Sequence, residues 1–162
     1  MREAEMILSD LEIKRRLLNG EIEIEPFSPE DLSPNGIDLR VGNKIVNINT
    51  DQEYDHGLVC EPDAFYLIST AERITLPLNV VGLVFLKSTW ARMGVLIPPT
   101  VVDAGFSGVL SFSLRVGPLP IKLEQGMKVW HLILAESYES TGYKGKYQNS
   151  DGLRKAITTG LL

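Results

Sequence analysis

The sequence predicts an all-β fold, a compact antiparallel barrel or jelly-roll-like sandwich preceded by one short helix. Two observations predict it. Nine short runs rich in Val, Ile, Leu and Phe follow one another, each bounded by Gly, Pro, Asn or Asp. One segment near the N-terminus carries both a start and a stop signal for a helix. No long linker, low-complexity tract or repeat divides the 162 residues, which fits one domain with a sizeable core.

The helix is expected at about 9–19. Ser9 and Glu12 form an S-x-x-E capping pattern, and Gly20 fits the stop. Leu11, Ile13, Leu17 and Leu18 are its apolar positions, and Lys14, Arg15 and Arg16 are its candidates for the solvent face. Residues 1–5 read as a loose extension. After a stretch punctuated by Pro26, Pro29, Pro34 and Gly36, the expected strands are IDLRVG, KIVNI, AFYLIST, ERITL, VVGLVFL, TVVD, VLSFSLRV, IKLE and KVWHLILA. Residues 1–140 thus read as the β domain with its helix. From Thr141 the composition turns to Gly, Lys, Ser and Thr, so 141–162 reads as a mobile tail, either a frayed terminus or a lid.

Composition excludes several functions. A net charge of −5 offers no broad surface for nucleic acid or anionic membranes, although a local basic cluster suffices for a small polyanion. No apolar run approaches the roughly 18 residues that span a bilayer, and the charged start MREAEMILSD lacks a secretory pattern, so a cytoplasmic protein is expected. Cys60 is the sole cysteine, and with His56 and His131 it makes no zinc-ligand spacing. A zinc-dependent deaminase is therefore not expected, and these three read as ordinary buried residues.

Three segments hold candidate chemistry. In LKSTWARMG, Lys87, Ser88, Thr89 and Arg92 place two cations and two hydroxyls at the end of an apolar strand, as a phosphate site needs; a capped helix start with a solvated Arg is the alternative. In VVDAGFSGVLSFSL the only carboxylate is Asp103, ahead of a hairpin-like turn at Phe106–Ser107 between Gly105 and Gly108. Strand alternation then puts Ser111 and Ser113 on the more polar face, for a ligand or for solvent. In SPNGIDLRVGNKI, Asp38 interrupts an apolar strand and is either paired with an Arg such as Arg40 or placed for function.

Taken together, these segments resemble the dUTPase and dCTP deaminase superfamily over nearly the whole chain. MILSDLEI resembles the start of dCTP deaminases. NGIDLRVGNK is similar to the first motif of both branches. LKSTWARMG is similar to R-S-S-x-x-R with Lys87 for Arg, VVDAGFSG to D-P-G-[WYF]-x-G with Ala104 for Pro, and GMKVWHLIL to G-x-x-[IV]-x-Q-L with His131 for Gln. YKGKYQ resembles the deaminase tail, and STWARMGVLIPPTVVDAGF looks closest to deaminase-like archaeal dUTPases.

The resemblance implies a distorted jelly-roll β-barrel of the dUTPase type, a homotrimer with active sites between subunits, and a deoxypyrimidine triphosphate carrying Mg²⁺. It implies that Lys87, Ser88, Thr89 and Arg92 hold the triphosphate and that the 103–114 segment, with Ser111 and Ser113, reads the pyrimidine. Phe106 excludes a 2′-hydroxyl, and Lys146, Tyr147 and Gln148 close over the phosphates. Ser150 stands where deaminases often have a second Gln. No direct metal ligand is implied, with Asp38 contributing through a water.

Deaminases of this family place a glutamate ten residues after the turn Asp, for proton transfer at the base. Here that position is Ser113, and the next acid downstream is Glu124. Hydrolysis at the α-phosphate needs one carboxylate to activate water and cations to stabilise charge. The expected activity is therefore hydrolysis of dUTP to dUMP and pyrophosphate, with Asp103 as base and Ser88 and Arg92 as stabilisers. In dedicated dUTPases the base lies two residues on, at Gly105 here, so Asp103 takes that role by analogy with bifunctional enzymes. The alternatives are a dCTP deaminase or bifunctional enzyme, and a nucleotide-binding homologue without turnover.

Overall fold

The structure, a computed structural model, describes residues 7–156. The expected loose extension at residues 1–5 lies outside the described residues. In chain order the elements are helix α1 (Asp10–Leu18), strands β1 (Glu23–Glu25), β2 (Leu32–Ser33), β3 (Gly36–Asn47), β4 (Glu53–Asp55), β5 (Gly57–Cys60), β6 (Phe65–Thr75) and β7 (Val80–Leu86), helix α2 (Ser88–Arg92), and strands β8 (Thr100–Val102), β9 (Ser107–Arg115), β10 (Ile121–Glu124) and β11 (Lys128–Glu136). A curled nine-stranded sheet has the path β1-β6-β3-β11-β7-β8, with β2 and β4 on β3 and β9 on β6; β10 and β5 form a separate pair. The fold is all-β apart from short helices, as expected. No helix among the described residues is long and apolar enough to cross a membrane.

Helix α1 starts where Ser9 Oγ accepts from the Glu12 amide at 3.3 Å. It ends at Gly20, whose φ of 68° is the left-handed conformation that glycine adopts at low cost. The expected capping box forms only in half, because the Glu12 carboxylate turns to Arg15 and Arg16, which hold its pKa down to about 2. Two expectations fail here. Arg16, read as solvent-facing, is 5% exposed and paired with Glu12 and Glu136. Leu11 and Leu18, read as core positions, are 76% and 79% exposed. The helix rests on β3 by a narrow stripe around Ile13, so there is no room to bury a wider apolar face.

The expected strands IDLRVG and KIVNI are one strand, β3, whose pairing with β6 shifts register between Val41 and Ile45. Its inward residues Ile37, Leu39, Val41 and Ile45 join Ile68, Phe112, Leu114, Trp130, Leu132 and Leu134 in the core. Cys60 is part of that core, and burial pushes its thiol up to about 12, which makes it unreactive.

A further correction concerns VVDAGFSGVLSFSL. Its two strands do not form a hairpin: β8 pairs with β7, and β9 pairs with β6. The turn between them carries the chain from one end of the sheet to another part of it. The Phe106 amide closes the turn on the Asp103 carbonyl at 3.1 Å, with Gly105 at φ 78° where a type II turn requires glycine.

A charged network braces the irregular middle of the sheet. Pairing of β6 with β9 shifts register between Ser69 and Arg73, which displaces Glu72 from regular pairing. The Glu72 carboxylate, 1% exposed, accepts the Arg40 amide at 3.0 and 3.2 Å and Arg40 Nε at 2.7 Å. Arg40 also pairs with buried Asp31 at 3.1 Å, which Lys128 approaches at 2.9 Å. Burial raises the Glu72 pKa, against the opposing pull of Arg40. Removing one partner of such a network leaves buried charge uncompensated. Arg40→Ala is expected to cost about 3–5 kcal/mol and to lower the melting temperature by about 10 °C or more. An unchanged melting temperature would show that the network does not hold the fold.

Candidate active site

A cavity of about 570 Å³ lies against β3, β6, β9 and the C-terminal segment. Cross-strand register builds one wall. Val46 faces Leu67, and Leu67 faces Ser113, so these three form a row; Ser111, opposite Ser69, stands in the next. The expected alternation along β9 holds, with Leu110, Phe112 and Leu114 buried and Ser111 and Ser113 half-buried on the cavity side. Thr100 to Asp103 and Phe106 form a second side. Tyr143, Tyr147, Ser150, Arg154 and Lys155 form the third.

The open edge of β9 is paired only at its ends. The Leu110 amide points toward β6, where Thr70 Oγ1 accepts it at 3.1 Å. By the two-residue period, Val109, Ser111, Ser113 and Arg115 turn their backbone groups the other way. There the Val109 amide donates to the Ser150 carbonyl at 2.8 Å, and Arg115 and Leu96 exchange bonds at 2.8 and 3.0 Å. Between these ends, the backbone groups of Ser111 and Ser113 have no strand partner on that side among the described residues. They face the cavity.

Two carboxylates line the cavity, Asp51 and Asp103. Asp51 is paired with Lys155 at 2.5 Å. Asp103 is exposed, and its carboxylate makes no hydrogen bond or ion pair among the described residues. It also borders a second cleft of about 540 Å³ with Ser137, Ser140, Thr141 and Lys144. Glu124, the next acid after Asp103, lies on β10 in the separate two-stranded sheet, paired with Lys122 at 2.7 Å. It does not reach this cavity.

The phosphate-like segment forms α2. The Lys87 amide donates to the Val129 carbonyl at 3.0 Å, and Trp90 Nε1 donates to the Lys128 carbonyl at 2.9 Å. Both bonds fasten the segment to β11. Ser88, Thr89 and Arg92 are exposed, and their side chains have no partner among the described residues. Lys87 is different, because its ammonium is paired with Asp38. The expected Asp38–Arg40 pair does not form; Arg40 is committed to Glu72 and Asp31. The other Asp38 oxygen meets His131 Nδ1 at 3.1 Å, since His131 stands directly across from Asp38 on β11. Burial pushes the Asp38 carboxyl up, but the bonds from Lys87 and His131 outweigh it and hold the pKa below the ordinary carboxylate value.

Within one chain the acid and the cations do not meet. Asp103 follows the Gly82–Val102 pair and so lies beside Val81, whereas Lys87 follows Leu86 at the far end of β7. The two ends are roughly 20 Å apart at the rise of an extended strand.

The C-terminal segment is docked through residue 156. Ser150, 2% exposed, donates from Oγ to the Val109 carbonyl at 2.5 Å, while Arg73 Nη1 donates to the Ser150 carbonyl at 3.2 Å. Gly108 makes this possible, because a Cβ there would stand 2.7 Å from Ser150 Oγ. Gln148 bonds to the turn backbone on both sides of Phe106, and Lys146 and Tyr147 are exposed beside it. Residues 157–162 of the expected tail lie outside the described residues. Sequence reasoning missed Tyr143, Asp51, Arg154 and Lys155. The aromatic in YKGKY and the cations in GLRKA were visible signals for three of them; nothing in NTDQ pointed to Asp51.

The chain is similar to known proteins in sequence and in fold. Residues 7–137 match the family model described as dCTP deaminase-like. A relative from Sulfolobus islandicus rod-shaped virus 1, named "Probable deoxyuridine 5'-triphosphate nucleotidohydrolase", is 39% identical over 93% of this chain and 98% of its own length. A protein named dCTP deaminase from Aeropyrum pernix is 38% identical over 92% of this chain and 94% of its own length. The solved structure of 2'-deoxycytidine 5'-triphosphate deaminase from Agrobacterium tumefaciens superposes with a TM-score of 0.73 at 19% identity, over 83% of this chain and 49% of that one. A Staphylococcus bacteriophage 80alpha dUTPase solved with dUpNHpp gives a TM-score of 0.52 at 15% identity, over 77% of this chain and 96% of that one. With a family model spanning most of its length and full-length relatives above a third identical, the chain belongs to the dCTP deaminase-like family, the group that joins dCTP deaminases to dUTPases.

Proposed function

We propose that the chain is a cytoplasmic dUTP diphosphatase, hydrolysing dUTP to dUMP and pyrophosphate. The observation that carries this reading is the cavity wall itself: an open strand edge at Ser111 and Ser113, and no carboxylate at the position where deaminases have glutamate. Uracil presents acceptor, donor and acceptor along its imide edge, in the same alternation as a strand's N–H and C=O groups. Cytosine presents two adjacent acceptors beside its amine and does not alternate. Deamination at C4 requires an acid at the base, and Ser113 with Leu67 and Val46 beside it supplies none.

The uracil lies against Ser111 and Ser113, and the deoxyribose packs on Phe106. Asp103, whose carboxylate has no partner among the described residues, orients the attacking water and takes its proton as the water oxygen adds to the α-phosphorus. The bond from that phosphorus to the bridging oxygen breaks, and pyrophosphate leaves. Ser88, Thr89 and Arg92 donate to the phosphates, with Lys87 beside them, and Lys146 and Tyr147 approach from the C-terminal segment. A Mg²⁺ ion carried by the triphosphate would supply charge neutralisation on the phosphates. Both oxygens of Asp38 already have protein partners, so such an ion would be held through phosphate and water.

The phosphate donors come from a neighbouring copy, in a homotrimer. The separation along β7 supports this, as do the exposed apolar side chains Phe85, Met93, Leu96 and Val101 around the segments that must meet.

A paired assay of pyrophosphate and ammonia on dUTP and dCTP tests the reaction. Pyrophosphate from dUTP and no ammonia from dCTP is the expected result, and ammonia from dCTP would install the deaminase reading in its place. Asp103→Asn is expected to lower kcat by about 10²–10⁴-fold. Arg92→Ala should lower kcat/KM by about 10²-fold, and a near-normal value would remove Arg92 from the phosphate site. Co-expressed Asp103→Asn and Arg92→Ala chains are expected to regain about one quarter of wild-type activity, because random mixing rebuilds that fraction of shared sites. A mixture as inactive as either parent would place the whole site within one chain.

A further inference from the structure

Phe106 is held from both flanks by one side chain. Gln148 Nε2 donates to the Gly105 carbonyl at 2.9 Å, and Gln148 Oε1 accepts from the Ser107 amide at 2.9 Å. A primary amide satisfies both because it carries a donor and an acceptor together; a carboxylate only accepts. The Phe106 ring stands edge-on to Tyr143 with centroids 5.6 Å apart, and the Tyr143 amide is tied to the Ala104 carbonyl at 2.9 Å. Beneath the ring, a Cβ on Gly108 would come within 3.0 Å of Phe106 Cζ, so the ring has little freedom on that side. The barrel contributes the bond from the Leu76 amide to the Phe106 carbonyl at 2.9 Å. The ring is a buried part of the core, and the C-terminal segment adds Gln148 on both flanks and Tyr143 at its edge.

The sequence reading placed Gln148 over the phosphates. Its amide faces the turn instead, with both polar ends engaged there. We propose that Gln148 sets the selectivity for 2′-deoxyribose, by holding Phe106 where a 2′-hydroxyl would collide with the ring. This rests on the reading that the sugar packs on Phe106. Gln148 touches no reacting atom and acts through Phe106, so it is a positioning residue. Steric exclusion of one hydroxyl is only as strong as the fixity of the excluding group, because a ring free to move by an ångström admits the ribonucleotide at small cost.

The test compares wild type, Gln148→Ala and Gln148→Glu for kcat/KM on dUTP and UTP, and for calorimetric affinity toward dUMP and UMP. In Gln148→Ala the preference for the deoxy form is expected to fall about tenfold, in the monophosphates as well as the triphosphates. Gln148→Glu keeps the bond to Ser107 and should retain part of the preference. If dUTP and UTP weaken together with their ratio unchanged, Gln148 serves the phosphates and the proposal is overturned. Phe106→Ala supplies the control for misfolding or tail release: adding Gln148→Ala to it should lower the preference no further, and a further fall would show that the effect does not pass through Phe106. A wild type that prefers dUMP to UMP but releases no pyrophosphate refutes hydrolysis alone. A wild type indifferent to the 2′-hydroxyl refutes the placement of the sugar, and this proposal with it.

Discussion

Strand β7 keeps the acid and the cations apart, and the layout of the site follows from that separation. Its flanks are hydrogen-bonded to β11 on one side and β8 on the other. Asp103 emerges beside its first residues and Lys87 after its last. Paired with β11 over its whole length and with β8 at Gly82–Val84, the extended strand holds its two ends apart. Under the proposed function the chain carries two half-sites: a nucleoside cavity with its acid, and a cationic segment whose hydroxyls and guanidinium have no partner among the described residues. The proposed closed cyclic assembly would satisfy both halves of every copy at once, because the contact it uses joins two different patches.

The docked C-terminal segment belongs to the same scheme. It does not bridge the gap along β7; it finishes the nucleoside half. Ser150 occupies the first free position on the edge of β9, and Leu96 occupies the last, so the gap between them is bounded on both sides. A gap of that kind suits a flat, hydrogen-bonding ring and leaves no room for another strand. The exposed sheet edge that would otherwise invite aggregation is thereby shortened to the length a base needs.

Much of this was legible in the sequence because it is local. Strand periodicity, the cap at Ser9, the stop at Gly20 and the cation–hydroxyl cluster before Arg92 each depend on residues a few positions apart. Several of the errors concern distant partners. Arg16 turned inward because Glu136 waits there, on a strand at the other end of the chain. The glycine-flanked turn looked like a hairpin because adjacent strands usually pair, but β8 and β9 were each claimed by strands earlier in the chain. The composition of the C-terminal segment reads as a mobile tail, frayed or lid-like, yet Ser150 and Gln148 in it bond closely to backbone groups of the turn and β9. Small polar composition does not distinguish a frayed end from a docked one; only the positions of the receiving groups do.

Two departures from the family pattern, Lys87 for Arg and His131 for Gln, look independent in the sequence. In the structure they meet at the two oxygens of one carboxylate, Asp38. Lysine is a compact charge with a flexible stem, so it folds back onto a nearby acid more easily than the planar guanidinium fork. Asp38 then needs a second partner, and His131, directly across the strand pair, supplies one. Gly36 leaves space for the imidazole, since a Cβ there would stand 2.6 Å from His131 Nε2. The glycine and aspartate of NGIDLR therefore serve a single arrangement with Lys87, just after β7, and His131 on β11. Lys87 is thus tethered at the start of α2, while the side chains of Ser88, Thr89 and Arg92 have no partner among the described residues. If the proposed function holds, an incoming triphosphate would meet those three first and compete with Asp38 only for the fourth, so Arg92 would be the cation available at encounter and Lys87 one that must change partners.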